Sequence, residues 1–230
     1  MPSVQYGHKT IEYTLDVKEG LKSHYISVEK GIGVILKGKS IPEKHAEKLI
    51  LKKAKWILDK LDLVQSIGDE NIVTGARIQY LGRRYYVEIK IEDEVSKIEI
   101  NFTESKFNIK LPSHLNNQED LQKAFEDYFR LKAKEKIEPI VNKLSKKTGL
   151  EYANLKFMKL EKRWGSCTPA NTIIINYNAI KLPFSLIEYL VVHELVHTKI
   201  KSHSKEFWAE LSKHIVNWKE LDEKMYGMKL

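Results

Sequence analysis

The 230-residue sequence contains one cysteine, Cys167, so no internal disulfide can form and the chain fits a reducing compartment. No apolar run approaches the ~20 residues that a membrane-spanning helix needs. Met1 to Thr10 is polar and lacks the apolar core of a signal peptide. A cytoplasmic protein without membrane contact is expected. No internal repeat and no low-complexity segment is expected from the sequence. What remains is an ordinary globular composition, 42% hydrophobic and 30% charged, in a chain long enough for one large domain or two small ones. Lys and Arg number 39 against 31 Asp and Glu, a net charge of +8. That surplus permits a nucleic-acid partner, although it is mostly lysine, and lysine-rich faces are usually just solvated.

The first half reads as β-rich. Ile11, Tyr13, Leu15 and Val17 alternate with polar residues, which predicts a half-buried strand. Further runs follow at Tyr25–Val28 and Ile32–Leu36, punctuated by Gly20 and Gly31. One helix is expected after Ser40-Ile-Pro-Glu43, a capping box with Pro42 in the first turn; Ala46, Leu49, Ile50, Ile57 and Leu61 recur at helical spacing. Residues 63–75 carry the turn signals Gly68-Asp69 and Gly75. Period-two strands resume at 85–91, 98–102 and 107–111. A long helical stretch runs from about Glu119 to Lys147, where Pro139 should kink or break it and Gly149 closes it. The spacing predicts an α+β protein divided into a β-rich region over 1–115 with one helix and a second domain over 116–230.

In the last third, Leu155–Lys162 and Thr172–Tyr177 are β-like, joined by Thr168-Pro-Ala-Asn171 as a hairpin turn. Ser185-Leu-Ile-Glu188 opens an apolar helix to about Lys199, and that helix contains His193-Glu-Leu-Val-His197. Residues four apart share a helix face, with Cβ atoms about 5–6 Å apart. Two such imidazoles can converge on one zinc ion at about 2.0–2.1 Å. Glu194, one step round the helix, is placed to act as general base on a water that the zinc activates. Incidental histidines on a core helix would leave Glu194 buried to no purpose, and burying a carboxylate is costly unless something pairs it.

Catalytic zinc usually takes three protein ligands. His203 is the leading third ligand, with Glu206 and Glu210 as competitors. At 100° per residue His203 lies about 240° round from His197. The chain must therefore turn between them, and Ser204 can start a new helix at Lys205. His8, His24, His45, His114 and His214 lack ligand spacing and read as surface or core residues.

A second cluster precedes the helix: Arg163-Trp-Gly-Ser-Cys167, then Asn176-Tyr177 at the end of the next strand. By residue type alone it reads equally as a tight corner packed by Trp164 or as a functional element. Together, Arg-Trp-Gly-Ser-Cys, the strand ending in Asn-Tyr, His-Glu-Leu-Val-His and His203-Ser-Lys-Glu-Phe-Trp208 resemble the YgjP-like metallopeptidase-domain family. These are small zincins similar to SprT-like and WLM proteases. The motifs cover about 155–210. Upstream the likeness is one of plan: β-hairpins, the Lys53-x-x-Trp-Ile57 helix and Tyr80-Leu-Gly-Arg-Arg-Tyr85.

The resemblance implies a zincin-like C-terminal metallopeptidase domain, with zinc held by His193, His197 and His203 and Glu194 as general base. It also implies a peptide or protein substrate, which would lie antiparallel to an edge strand near Thr172–Tyr177. Arg163 and Tyr177 are candidates to stabilise the oxyanion. Cys167 reads as a small buried residue, the competing reading being a fourth, inhibitory metal ligand. The alternative function is a nucleic-acid-associated zinc module with little turnover, in which Lys156, Lys159, Lys162, Arg163, Lys199, Lys201 and Lys205 form a basic rim. The oligomeric state stays open.

Overall fold

The computed structural model describes residues 1–29, 31–66, 71–161, 163–225 and 228–229. The turn signal Gly68-Asp69 and the rim residue Lys162 lie outside the described residues. The fold is α+β, and the chain forms two compact units. One comprises Met1–Gly68, Glu161–Arg163 and Asp222–Leu230; the other comprises Asp69–Leu160 and Trp164–Leu221.

In the first unit, strands β1 (Ser3–Tyr6), β2 (Lys9–Val17), β3 (Tyr25–Glu29) and β4 (Gly33–Gly38) stand in the order β1-β2-β4-β3, with β12 (Met228–Lys229) beside β3. Ile11 and Tyr13 of β2 are buried while their neighbours Glu12 and Thr14 face water, the outcome of period-two alternation. The single helix expected here is two. Helix α1 (Glu43–Lys52) ends where Lys53 leaves helical geometry at φ −113°, and α2 (Ala54–Ser66) follows. Pro42 flanks α1 without any side-chain cap, so Ser40 makes no capping box.

The second unit opens with β5 (Arg77–Tyr80), β6 (Arg83–Ile91), β7 (Glu99–Thr103) and β8 (Lys106–Leu111), in the order β5-β6-β8-β7. This repeats the plan of the first unit. In both, an antiparallel hairpin is followed by a second hairpin whose last strand pairs in parallel with the second strand. The trace of that repeat in the sequence is short: Val4-Gln5-Tyr6 and Ile78-Gln79-Tyr80 each lead into a two-residue turn.

Helix α3 (Gln118–Thr148) is capped by Asn117, whose side chain accepts from the Asp120 N–H, and closed by Gly149 at φ +71°. It runs without a break through Pro139. Its buried stripe is Leu121, Phe125, Phe129, Ala133, Ile137, Val141 and Leu144. Phe107 of β8 meets Phe125 and Phe129 with ring centroids 5.4 and 6.4 Å apart. This shared aromatic core places strands 77–111 with α3 in one unit, whereas the sequence reading divides the chain at 115/116.

The remaining elements frame the histidine helix. Strands β9 (Asn154–Met158), β10 (Gly165–Cys167) and β11 (Thr172–Asn176) form a sheet ordered β10-β11-β9. The turn at 168–171 joins β10 to β11 as an antiparallel hairpin, while β9 pairs with β11 in parallel. The expected pairing of 155–162 with 172–177 across that turn is corrected accordingly, because a three-residue strand intervenes. Thr172–Asn176 is therefore central, and among the described residues β10 is the antiparallel edge strand of this sheet. A 3-10 helix, Tyr177–Lys181, leads into α4 (Phe184–Lys199), which packs on α3; α5 (Lys205–His214) and α6 (Trp218–Met225) follow. The Leu81-Gly82 turn docks at the start of α4: Leu81 N–H donates to Ile180 O at 2.9 Å and Gly82 N–H to Lys181 O at 3.0 Å. A Cβ on Gly82 would come within 2.8 Å of the Pro183 backbone, so glycine is required there.

Candidate metal centre

Helix α4 is buried nearly all round, through Leu186, Ile187, Tyr189, Leu190, Val191, Val192, Leu195 and Val196, as a helix in the middle of a core must be. It presents His193 and His197 with ring centroids 4.9 Å apart. It ends at Lys199, and Ile200 is extended. The loop 200–204 then turns the chain, and α5 starts at Lys205 after Ser204. That turn swings His203 back over the helix: its Nε2 stands 2.9 Å from His193 Nε2 and 3.1 Å from His197 Nε2. The three imidazoles form a group able to hold one metal ion.

The donor set fits a metal. His197 Nδ1 lies 3.0 Å from the Ile200 carbonyl, which can only accept, so Nδ1 carries the proton and Nε2 presents a bare lone pair. Burial pushes the His193 pKa down to about 3, helped by the neighbouring His197 and His203. Burial also lowers His197. Both rings are therefore neutral near pH 7, as ligation requires. His193 Nδ1 faces the Tyr189 hydroxyl at 3.4 Å, one helical turn back. Phe207, fully buried, floors the group, with its ring 4.9, 4.5 and 4.8 Å from those of His193, His197 and His203.

Glu194 is 4% exposed on the same helix. Its carboxylate lies against Gly165 of β10 so closely that a Cβ on Gly165 would stand 2.5 Å from Oε1. Gly165 has no positive φ; it is small to make room. The other glutamates are engaged elsewhere. Glu210 is ion-paired to Lys199 at 3.1 Å and Lys213 at 2.8 Å, and those lysines hold its carboxyl down to about 2. Glu206 is held low by the Ser204 hydroxyl.

The second cluster divides. Trp164 is buried, and its carbonyl accepts from Asn176 N–H at 2.8 Å. Asn176 caps the 3-10 helix and donates to Leu160 O at 2.7 Å, a tie that holds the corner together. Tyr177 is buried, with the Arg130 guanidinium of α3 5.3 Å from its ring. Arg163 falls in the other compact unit. Cys167 lies outside the three-histidine group, half-buried beside Lys201 at 3.5 Å, and burial raises its thiol pKa. Of the expected basic rim, Lys159 pairs with Glu126, Lys199 with Glu210, and Lys201 with the hairpin. Tyr189, Phe207 and Lys201 carry the second layer of the site. Phe207 lies within the His203–Trp208 motif and Lys201 in the expected basic rim, whereas the signal for Tyr189 is its place four residues before His193.

A helix presenting two histidines one turn apart, a third brought back by a following turn, and a buried glutamate between them define a metallohydrolase centre. The model of the family described as YgjP-like, metallopeptidase domain, matches residues 22–227, and the chain belongs to that family. Two crystal structures of metallopeptidase zymogens are similar over 38% of this chain. One is Pyrococcus abyssi abylysin, at 21% identity and TM-score 0.35, with 90% of that chain covered. The other is Methanocaldococcus jannaschii jannalysin, at 25% identity and TM-score 0.35, with 91% covered. No curated protein matches. No helix among the described residues is long and apolar enough to cross a membrane.

Proposed function

We propose that the protein is a zinc-dependent peptidase in which His193, His197 and His203 hold the metal and Glu194 is the general base. The observation that carries this reading is the convergence of three Nε2 atoms beside a helix that also buries Glu194. Three neutral imidazoles are a donor set suited to zinc with one coordination position left open. Bound there, zinc acts as a Lewis acid that lowers the pKa of water toward ~7 and polarises a carbonyl.

The chain's own residues do the rest. Glu194 takes the proton of the attacking water and passes it to the leaving amine. The Ile200 carbonyl and the Tyr189 hydroxyl fix the His197 and His193 rings. Phe207 keeps water from the far side of the imidazoles. An extended peptide lies along the edge strand β10, whose Gly165 touches Glu194.

The test is Glu194→Gln. The amide keeps size and shape but cannot accept the proton, so zinc content should stay at one per chain while hydrolysis of unstructured protein falls roughly a hundredfold to ten-thousandfold. Undiminished turnover removes Glu194 from the mechanism.

A further inference from the structure

Lys201 sits in the loop between the metal helix and α5, two residues before His203. An ammonium has three N–H donors, and those of Lys201 meet three acceptors on one hairpin. They are the Thr168 carbonyl at 2.9 Å, the Asn171 side-chain oxygen at 2.5 Å and the Cys167 sulfur at 3.5 Å. The turn it grips is itself tightly made. Asn171 adopts φ +57° and donates its N–H to Thr168 O, and Thr168 N–H donates to Thr172 O.

Among the described residues, β10 pairs with β11 alone. At its first residue, Gly165, it touches Glu194. At its last, Cys167, it is gripped by Lys201. Three residues make a short strand, and Lys201 adds a side-chain tie where that strand runs into the turn. Lys201 belongs to the same short loop as the Ile200 carbonyl and His203, so one side chain ties the edge strand to the segment that completes the metal group.

We propose that Lys201 is a positioning residue that locks β10 to the metal-binding loop, so that an extended peptide laid on this edge meets Glu194 and the imidazoles in a fixed register. The proposal rests on the peptidase reading for its effect on turnover, but the anchor itself can be measured without turnover.

The experiment compares wild type, Lys201→Met and Lys201→Arg, each loaded with zinc. Hydrogen exchange of the amides in 165–172 should speed up about tenfold or more in Lys201→Met, the scale set by losing charge-assisted hydrogen bonds. Amides in the middle of α4 should not change, and Lys201→Arg should recover most of the protection. With labelled casein as the extended substrate, KM should rise about tenfold in Lys201→Met while kcat changes little. A blocked dipeptide amide, too short to use the edge, should be cleaved by both proteins alike. Unchanged exchange in 165–172 overturns the anchor. Faster exchange with the casein KM unchanged overturns the positioning role. A wild type that cleaves neither probe overturns the peptidase reading and not the anchor, which the exchange measurement decides by itself.

Discussion

Gly165 and Glu194, 29 positions apart in the sequence, are in van der Waals contact: a Cβ built on Gly165 falls 2.5 Å from Glu194 Oε1 and 2.8 Å from its Cγ. A methyl group there must push the carboxylate aside by about 1 Å to reach an ordinary contact, and a misplacement of that size can cost about a hundredfold in rate. Gly165→Ala should therefore fold and retain zinc, since the imidazoles are untouched, yet lose about two orders of magnitude in kcat/KM. Steady-state kinetics beside elemental analysis checks this, and full activity in the variant would mean that the Glu194 carboxylate is not needed where it lies.

The ligand set is tested by metal retention. Alanine at His193 or His197 should abolish stoichiometric zinc binding. Alanine at His203 should speed loss to a chelator by more than the roughly 10–100-fold that an outer-shell partner is worth. Glu206→Ala and Glu210→Ala should release zinc at close to the wild-type rate, because their carboxylates serve Ser204 and two lysines. A Glu206 variant that loses metal faster than the His203 variant would reverse the assignment of the third ligand.

Much of this centre is legible in the sequence because helix geometry is local. The spacing of His193, Glu194 and His197 fixes their faces, and the angular misfit of His203 on a continued helix forces the turn that the structure makes at 200–204. The hairpin is less legible. Thr168–Asn171 reads correctly as a turn, but the three residues 165–167 are too few for alternation to mark a strand, so the sequence pairs 172–177 with 155–162 instead. Likewise the aromatic residues of β8 look identical whether they close a first domain or open a second. Their burial against Phe125 and Phe129 decides it, and that is a tertiary fact.

Glu210 should limit acid stability. Its carboxyl is held from the ordinary 4.5 down to about 2 by hydrogen bonds to Lys213 and Lys199. Between those values the unfolded chain binds a proton that the folded chain does not, so the contribution is complete above pH 4.5 and is lost as pH falls toward 2. The two lysines are 56% and 65% exposed, which screens the pairs, so the loss is about 1 kcal/mol. Chemical denaturation across that window should show Glu210→Gln with a flatter acid limb than wild type and an unaltered zinc content at pH 7. Parallel acid limbs would mean that the ion pairs contribute nothing.

His203, the proposed third ligand, also has an aromatic support. The His203 ring stacks on Trp208 with centroids 5.7 Å apart and planes 26° apart, and Trp208 stacks on Trp218 at 4.8 Å and 19°. His203 rides on a short loop and its side chain is exposed, so this stack restrains a ring that burial does not. Trp208→Leu should keep the fold, because the half-buried indole is replaced by another apolar side chain, but zinc should leave about 10–100-fold faster, the range for losing an outer-shell partner. Trp208→Phe preserves an aromatic face and should fall between the two. In the wild type, zinc binding should change tryptophan fluorescence, since the metal fixes the ring against which the indole stacks, and the change should shrink in Trp218→Leu. Stopped-flow release into a chelator measures the rates. Equal rates for wild type and Trp208→Leu, with unfolding midpoints also equal, would show that the loop backbone alone holds His203 and that the stack is packing without consequence for the metal.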